Sequence, residues 1–173
     1  EDLIGEGVRY VVVAEITTNA AAFPQSRMMV VANGWASFQN LAIHPRLQFS
    51  LPVIGITGSN GKTIVKEWLY HLLQDEYNIV RSPKSYNSQI GVPLSVWQMN
   101  ANHTLGIFEA GISQPDEMKK LAKAIAPTIV VITNIGKAHG AGFLNNRLKL
   151  NEKMKLFDKT KWFIYGSHDP VLD

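Results

Sequence analysis

The stretch of sequence that decides the fold runs from Pro52 to Thr63 and reads PVIGITGSNGKT. A short apolar run enters a turn rich in Gly, Ser and Asn, and Lys-Thr leads directly into a helical pattern. Glycines allow the backbone N–H groups of such a turn to point at phosphate oxygens, and the helix N-terminus adds partial positive charge. The order of these features therefore predicts a strand, a phosphate-binding loop and a helix.

Within this loop, we expect Lys62 to reach the β- and γ-phosphates of a nucleotide and the Thr63 hydroxyl to bind Mg²⁺. The glycines stand at positions 55, 58 and 61, and Ile56 occupies the position where the strict P-loop pattern has its first glycine. The loop is therefore interpreted as a P-loop variant. A Gly-rich turn that precedes a helix by chance is the alternative, and it is disfavoured because strand, loop, Lys-Thr and helix all agree.

The composition is that of a globular protein with one domain, or one domain and a piece of another. The chain has 173 residues, 46% of them apolar, a formal net charge of +3 and no cysteine. The mild, scattered charge does not indicate a nucleic-acid partner. No apolar run reaches the length of a membrane span, so no membrane partner is expected. The absence of cysteine agrees with a reducing compartment, and we expect a cytoplasmic protein.

Two segments of different character follow one another along the chain. Residues 9–16 and 27–32 are predicted as strands and residues 35–47 as a helix, so that residues 1–50 form part of a small α/β domain. From residue 51 to 173, strands and helices alternate. This alternation predicts an α/β fold with a P-loop and a mostly parallel sheet joined by crossover helices.

The helix after the loop carries an apolar stripe at helical spacing. Val65, Trp68, Leu69, Leu72 and Leu73 form this stripe and are expected to face the core. Lys66 falls off the stripe, and we expect it to be solvated.

Polar residues follow two further strands of the predicted sheet. Glu109 ends one strand, and Asn134 and then His139 follow another. Because ligands of parallel sheets bind beyond the carboxyl ends of the strands, these residues are expected near the phosphate loop. A carboxylate suits Mg²⁺, so Glu109 is a candidate ligand. A strand-end acid with a surface partner is the alternative, but an acid in a buried strand would be costly.

Two other segments leave their roles open from the residues alone. The polar loop that contains Tyr86, Asn87 and Ser88 could bind a polar substrate or could be a mobile connection. Lys153 lies on a predicted helix, where chemistry alone favours a solvated side chain.

Taken together, four segments resemble the Mur ligases, the ATP-dependent amide-forming enzymes of peptidoglycan synthesis. The segment 56–63 resembles their ATP loop, and 86–94 is similar to the Asn-x-x-x-Gly-x-Pro segment of the branch that adds D-alanyl-D-alanine. Phe108–Gly111 resembles the Glu-x-Gly at a Mg²⁺ site, and Asn134–His139 resembles the Asn-x-x-x-Ala-His segment. The four segments are in the family's order and extend over about two thirds of the chain.

The resemblance implies ATP and Mg²⁺ as cofactors and a ligase that joins D-Ala-D-Ala to UDP-N-acetylmuramoyl-tripeptide through an acyl phosphate. It implies catalytic roles for Lys62, His139 and Lys153, the last at the position of a lysine that many members carry in carbamylated form. It implies metal ligation by Thr63, Glu109 and His139, and substrate binding by Tyr86, Asn87 and Ser88. ATP would be bound by Gly58, Ser59, Asn60, Gly61, Lys62, Thr63 and Asn134.

The resemblance also implies that this chain is a fragment. Residues 1–50 resemble the end of the N-terminal UDP-sugar-binding domain, and residues 51–173 resemble the first part of the ATP-binding central domain. The run 53–165 is most similar to the ligase half of proteins in which the ligase is fused to an alanine racemase. A third domain would follow residue 173, so we expect residues 1–173 alone to be inactive or nearly so.

Three other functions stay open at this point. Folylpolyglutamate or cyanophycin-type synthetases share the ATP loop and the amide chemistry, although the 86–94 segment argues against them. A P-loop nucleotide-binding module without ligase activity would need no metal pair at Glu109 and His139. A Mur-like subunit that amidates a lipid-linked precursor would usually have a cysteine metal cluster, and this chain has no cysteine.

Overall fold

The structure is a computed structural model, and it divides into two compact units, residues 1–40 and 41–173. The residues that it describes are 9–15, 27–136, 142–158, 160–169 and 172. Among these residues, no helix has both the length and the apolar character that crossing a bilayer requires.

The first unit contains a small parallel pair of strands. β1 (Val11–Val13) pairs with β2 (Met28–Val30), and both lie inside the segments that the sequence predicts as strands. The helix α1 (Gly34–Gln48) follows and continues into the second unit. Asn33 begins this helix, because its side-chain oxygen accepts a hydrogen bond from the Ala36 N–H at 3.0 Å. The predicted domain boundary after residue 50 stays a prediction.

The second unit alternates strands with helices, as the sequence predicts. Its elements are β3 (Val53–Thr57), α2 (Lys62–Leu73), β4 (Ile79–Arg81), α3 (Gly91–Trp97), β5 (Leu105–Glu109), α4 (Glu117–Ile125), β6 (Ile129–Ile132), α5 (Asn146–Met154), a 3-10 turn (Lys155–Phe157) and β7 (Trp162–Tyr165). The strands form a five-stranded, parallel sheet in the order β4-β5-β3-β6-β7. The predicted α/β class with a parallel sheet and crossover helices is confirmed.

The strand order places the predicted phosphate loop, residues 58–61 between β3 and α2, at the centre of one sheet edge. β3 is the middle strand, and its neighbours are β5 on one side and β6 on the other. The strands β4 and β5 lie on one side of β3, and the later strands β6 and β7 lie on the other, so the strand order reverses at β3. Ligands of open α/β sheets bind at such a reversal, beyond the carboxyl ends of the strands. The ends of β3, β5 and β6 therefore frame the site.

The two faces of the sheet carry separate apolar clusters because side chains alternate along each strand. On one face, Val53, Phe108 and Val130 pack with residues of α3 and α4. On the other face, Ile54 and Ile107 lie in a cluster against which Val65, Leu69 and Leu73 of α2 pack. β3 and β5 are buried along their whole length, which explains why they lack the polar alternation of a half-exposed strand.

The predictions for α2 are partly wrong. Trp68 is 67% exposed and Leu72 is 76% exposed, so the buried stripe is narrower than predicted. Lys66, expected to be solvated, is completely buried. Its ammonium group contacts polar groups at the ends of β4 and β5, and these contacts compensate for the loss of water. The hydrophobic pattern of α2 gives no information about them.

Candidate nucleotide and metal site

The glycines of the loop between β3 and α2 hold backbone conformations that L-residues rarely adopt. Gly58 has φ +139° and Gly61 has φ +77°. A Cβ atom on Gly58 would also collide with the Thr133 hydroxyl at the end of β6. Gly58 is therefore required twice, for its backbone angle and for the close approach of β6.

The loop is tied to the end of β6 by hydrogen bonds. The Ser59 N–H donates to the Asn134 carbonyl at 2.9 Å, and the Asn60 N–H donates to Asn134 Oδ1 at 3.0 Å. Ser59 Oγ accepts a hydrogen bond from the Gly136 N–H at 2.9 Å. Asn134 thus orients the loop through its backbone and its side chain.

Lys62 lies over the loop that precedes it. Its side chain is almost buried, and its ammonium donates to the carbonyls of Gly58 at 2.9 Å and Ser59 at 3.3 Å. Burial lowers the pKa of Lys62, the nearby Glu109 carboxylate raises it, and the Lys149 ammonium lowers it further. The result is a cation held at the phosphate loop in a partly desolvated environment, where its charge acts strongly on an anion.

Thr63 and Glu109 meet at the junction of β5 and α2. Glu109 is completely buried, and Thr63 Oγ1 donates to its Oε2 at 3.1 Å. Asn87 Nδ2 lies 3.5 Å from the same oxygen. The backbone of Glu109 is fixed as well, because its N–H donates to Ser82 Oγ at 3.1 Å. One carboxylate oxygen therefore faces the phosphate loop beside a hydroxyl group.

The other oxygen of Glu109 faces inward. Oε1 lies 3.0 Å from Lys66 Nζ, an ion pair in which both side chains are completely buried. No hydrogen bond of good geometry reaches Oε1 within the described part of the chain. The Lys66 ammonium instead donates to the carbonyls of Ser82 and Lys84, and it attracts Oε1 mainly through its charge.

The donor set at Glu109 fits a magnesium ion that completes its coordination with phosphate and water. Mg²⁺ prefers oxygen ligands and is commonly bound by one or two carboxylates together with substrate phosphates. Glu109 Oε2 and Thr63 Oγ1 supply one carboxylate and one hydroxyl oxygen beside the loop. Within the described ranges, no group of three or more His, Asp or Glu side chains could hold a metal without phosphate. His139, the third predicted ligand, lies outside the described residues.

Two lysines of α5 also lie at this site, and one of them, Lys153, reaches the loop between β3 and α2. Lys153 is 2% exposed and donates to the Gly58 carbonyl at 3.1 Å, so the solvated side chain that chemistry alone favoured is wrong. Burial, and then the charges of Lys62 and Lys149, lower the pKa of Lys153 to about 7. Lys149 donates to the Gly136 carbonyl at 2.7 Å, and burial lowers its pKa. The i, i+4 spacing of Lys149 and Lys153 was the available signal that both lie on one helix face.

The loop between β4 and α3 contains the three predicted substrate residues, and one of them, Asn87, lies beside the Glu109 carboxylate. Ser88 instead helps to begin α3, because its Oγ accepts from the Gly91 N–H at 3.2 Å. Tyr86 is 44% exposed. The Gly111 N–H donates to the Asn87 carbonyl at 2.8 Å, which holds the loop against the end of β5.

Replacement of Gly111 should disturb this loop without unfolding the protein. A Cβ atom at Gly111 would lie 2.7 Å from Asn87 Oδ1 and 2.8 Å from its Cγ, so the Asn87 side chain must leave Glu109. For the amide formation that the resemblance implies, we expect Gly111→Ala in the full-length protein to lower kcat/KM roughly tenfold. The free energy of unfolding should change by less than about 1 kcal/mol. Gly34→Ala is the matched control, since among the described residues its Cβ would meet only Ala14 Cβ, at 4.0 Å. Equal activity of the two variants would contradict a role for Asn87.

Beyond the end of β6, an open cavity adjoins Asn134 and includes residues that the sequence analysis missed. The Asp169 carboxylate accepts a hydrogen bond from the Ile135 N–H at 2.7 Å. The cavity has a volume of about 540 Å³ and is lined by Thr133, Asn134, Ile135, Asn146, Gly166, His168 and Asp169. No motif in the sequence marks Asp169, because its contact arises only when β7 pairs with β6.

Solved structures of known proteins match this chain over almost its whole length. MurF ligase from Thermotoga maritima in complex with ADP matches with a TM-score of 0.85 and 27% identity, over 98% of this chain and 39% of that chain. MurF from Acinetobacter baumannii matches with a TM-score of 0.88 and 24% identity, over 97% of this chain and 37% of that chain. At that identity the second match supports the fold alone.

A curated relative and a family model agree with the structural matches. The UDP-N-acetylmuramoyl-tripeptide–D-alanyl-D-alanine ligase of Treponema pallidum is 42% identical over 102 residues, which are 59% of this chain and 22% of that protein. This chain therefore spans less than a quarter of the length of that relative. The model of the Mur ligase middle domain matches residues 56–172, well over half of the chain. The chain thus belongs to the Mur ligase family.

Proposed function

We propose that the full-length protein is a cytoplasmic, ATP-dependent ligase that joins D-Ala-D-Ala to a UDP-N-acetylmuramoyl-tripeptide. The observation that carries the proposal is the contact between Thr63 and Glu109, which aligns a hydroxyl and a carboxylate at the mouth of a phosphate loop. The name of the Treponema pallidum relative supports the choice of substrates, and the ADP complex of the Thermotoga maritima protein supports the nucleotide.

In the proposed reaction, the loop residues Gly58, Ser59, Asn60 and Gly61 and the helix N-terminus would bind the ATP phosphates through backbone N–H groups. Lys62 would exchange its present carbonyl partners for phosphate oxygens and stabilise the charge of the phosphoryl group in transfer. Asn134, which orients the loop, would complete the nucleotide contacts.

Thr63 and Glu109 would hold Mg²⁺, with Oε2 of Glu109 as the carboxylate ligand and phosphate oxygens and waters as the remaining ligands. His139 is proposed as a ligand of a second cation. Bound magnesium would offset the repulsion between the anionic carboxylate substrate and ATP. The role of the protein in this step is to fix the ligand oxygens in a buried, prearranged position.

The chemistry divides into two transfers. A carboxylate oxygen of the tripeptide attacks the γ-phosphorus of ATP and forms an acyl phosphate, and ADP leaves. The amine nitrogen of D-Ala-D-Ala then attacks the acyl carbon through a tetrahedral intermediate, the bond between the acyl carbon and the phosphate oxygen breaks, and inorganic phosphate leaves with the proton that the nitrogen loses. The loop that contains Tyr86, Asn87 and Ser88 would position a substrate beside Glu109, with Asn87 as the residue nearest to the carboxylate.

We further propose that Lys153 is carbamylated. A pKa of about 7 leaves a large fraction of the amine neutral at physiological pH, and a neutral amine attacks CO₂, releases a proton and forms a carbamate anion. The anion would relieve the repulsion between Lys153 and the cations Lys62 and Lys149. The resemblance to members with a carbamylated lysine supports this assignment.

The depressed pKa of Lys153 makes a prediction for stability when bicarbonate is excluded. Between pH 7 and about pH 10.4 the unfolded chain is protonated at this lysine and the folded chain is not, so stability should rise with pH. We expect this rise, up to about 1.4 kcal/mol per pH unit, in the wild type and not in Lys153→Met, measured by chemical denaturation. With isotope-labelled bicarbonate, a carbamate carbon signal should appear by NMR in the wild type alone. Identical pH profiles would contradict the lowered pKa of Lys153, and absence of the carbamate signal would contradict its carbamylation.

The central test is phosphate release and amide formation by the full-length protein with ATP, Mg²⁺, UDP-N-acetylmuramoyl-tripeptide and a panel of amine acceptors. D-Ala-D-Ala should be the preferred acceptor. Use of glutamate or aspartate acceptors would favour a folylpolyglutamate or cyanophycin-type ligase, and nucleotide binding without product would favour a non-catalytic module. Residues 1–173 alone are expected to be inactive or nearly so.

A racemase fusion is a separate proposal. It is supported by the similarity of residues 53–165 to the ligase half of fused ligase–racemase proteins. Alanine racemase activity in the purified full-length protein tests it.

A further inference from the structure

Lys66 is a buried cation to which the proposed reaction assigns no role. Its side chain is completely buried, although it lies only one helical turn after Lys62. Its ammonium contacts Glu109 Oε1 at 3.0 Å and Glu67 Oε1 at 3.1 Å, and it donates to the carbonyls of Ser82, at 2.7 Å, and Lys84. A buried ammonium is tolerated only when partners of this kind compensate for lost water.

The carbonyl partners of Lys66 belong to the start of the loop that carries Asn87. Ser82 follows directly after β4, and Lys84 has φ +48°, a left-handed conformation that is strained for a residue other than glycine. The ammonium of Lys66 accepts no hydrogen bond and donates up to three. By binding both carbonyls, it stabilises the turn that directs the loop toward β5.

Lys66 also contacts two carboxylates, those of Glu109 and Glu67. The ion pair holds Oε1 of Glu109 and leaves Oε2 to face Thr63 and Asn87. Glu67 is itself bound by Arg81, whose NH1 lies 2.7 Å from its Oε1. A single ammonium thus contacts the carboxylate proposed for the metal and the backbone of the loop proposed for the substrate.

We infer that Lys66 is a positioning residue that locks Glu109 and the segment 82–88 into one arrangement, so that the metal side and the substrate loop of the site are set together. The functional meaning of this link rests on the proposed ligase function. The link itself depends only on the contacts of Lys66. Loss of the ammonium should free the carbonyls of Ser82 and Lys84 and allow the loop to open while the rest of the sheet stays folded.

Hydrogen–deuterium exchange of the full-length protein without nucleotide or metal tests the link. We expect exchange in the segment 82–92 to be at least about tenfold faster in Lys66→Met than in the wild type. Lys120→Met is the matched control, because Lys120 is exposed on α4 and undergoes the same chemical change. Exchange in the α4 segment 117–125 should be equal in both variants. Equal exchange at 82–92, or equally faster exchange in both segments, would overturn the inference.

A second measurement tests whether Lys66 couples the metal site at Glu109 to the segment 82–88. A non-hydrolysable ATP analogue with Mg²⁺ should slow exchange at 82–92 in the Lys120→Met control and not in Lys66→Met. Equal slowing in both variants would overturn the coupling. If Lys66→Met fails to fold, Lys66→Gln, which keeps an amide donor, replaces it under the same criteria. Absence of amide product from the wild type would defeat the proposed function, whereas the exchange comparison without ligand would still decide the role of Lys66.

Discussion

Replacement of Lys62 by methionine is expected to reduce amide formation by the full-length protein by roughly 10²–10³-fold while the fold stays intact. The charge of Lys62 acts on the transferring phosphoryl group, where developing charge is greatest. Burial already penalises the ammonium, as its lowered pKa indicates, so an apolar side chain of similar length should leave the free energy of unfolding unchanged or higher. Steady-state kinetics and chemical denaturation measure the two quantities.

The same variant should also change a neighbouring group. The positive charge of Lys62 lowers the pKa of Lys153, so Lys62→Met should raise that pKa, which NMR of labelled lysine side chains can follow. Lys119→Met, at an exposed position on α4, is the control and should alter neither activity nor the pKa of Lys153. Activity of Lys62→Met within threefold of the control would refute the role of Lys62 in phosphoryl transfer.

Much of the fold could be predicted because its signals are local. The run from Pro52 to Thr63 combines an apolar strand, glycines with left-handed angles and a helix start, and these depend only on nearby residues. The parallel sheet follows from the alternation of strands and helices, since parallel strands need crossover connections. Glu109 could be assigned to the same edge as Thr63 because carboxyl ends of neighbouring parallel strands meet there.

The polar contacts of buried cations could not be predicted from the same signals. The helical pattern of α2 treats Lys66 as a residue of the solvent face, but its partners Ser82 and Lys84 arrive from another element, and Glu109 from a third. Trp68, by contrast, continues the apolar stripe and is exposed. Hydrophobic periodicity locates the face that packs on the sheet, and it carries no information about a buried ion pair between elements.

Glu109→Gln is expected to have the largest combined effect on stability and activity. The amide keeps one acceptor oxygen, so when that oxygen faces the Lys66 ammonium, an uncharged NH2 donor replaces the carboxylate oxygen beside Thr63 Oγ1 and Asn87 Nδ2. Removal of the negative charge leaves Lys66 without its completely buried counter-ion, which should lower the free energy of unfolding by about 3 kcal/mol. Loss of the metal carboxylate should lower amide formation by roughly 10³-fold. Glu76→Gln, at an exposed position, is the control for both measurements.

A double variant separates the two effects of Glu109. In Glu109→Gln with Lys66→Met, the unpaired ammonium is gone, so stability should recover by a large part of the loss seen in Glu109→Gln alone. Activity should not recover, because the anionic carboxylate ligand of Mg²⁺ is still missing and the segment 82–88 has lost its contacts with Lys66. Calorimetric titration with Mg²⁺ and a non-hydrolysable ATP analogue should find weak binding in both variants. Recovery of activity together with stability would mean that Glu109 acts only as the counter-ion of Lys66 and binds no metal.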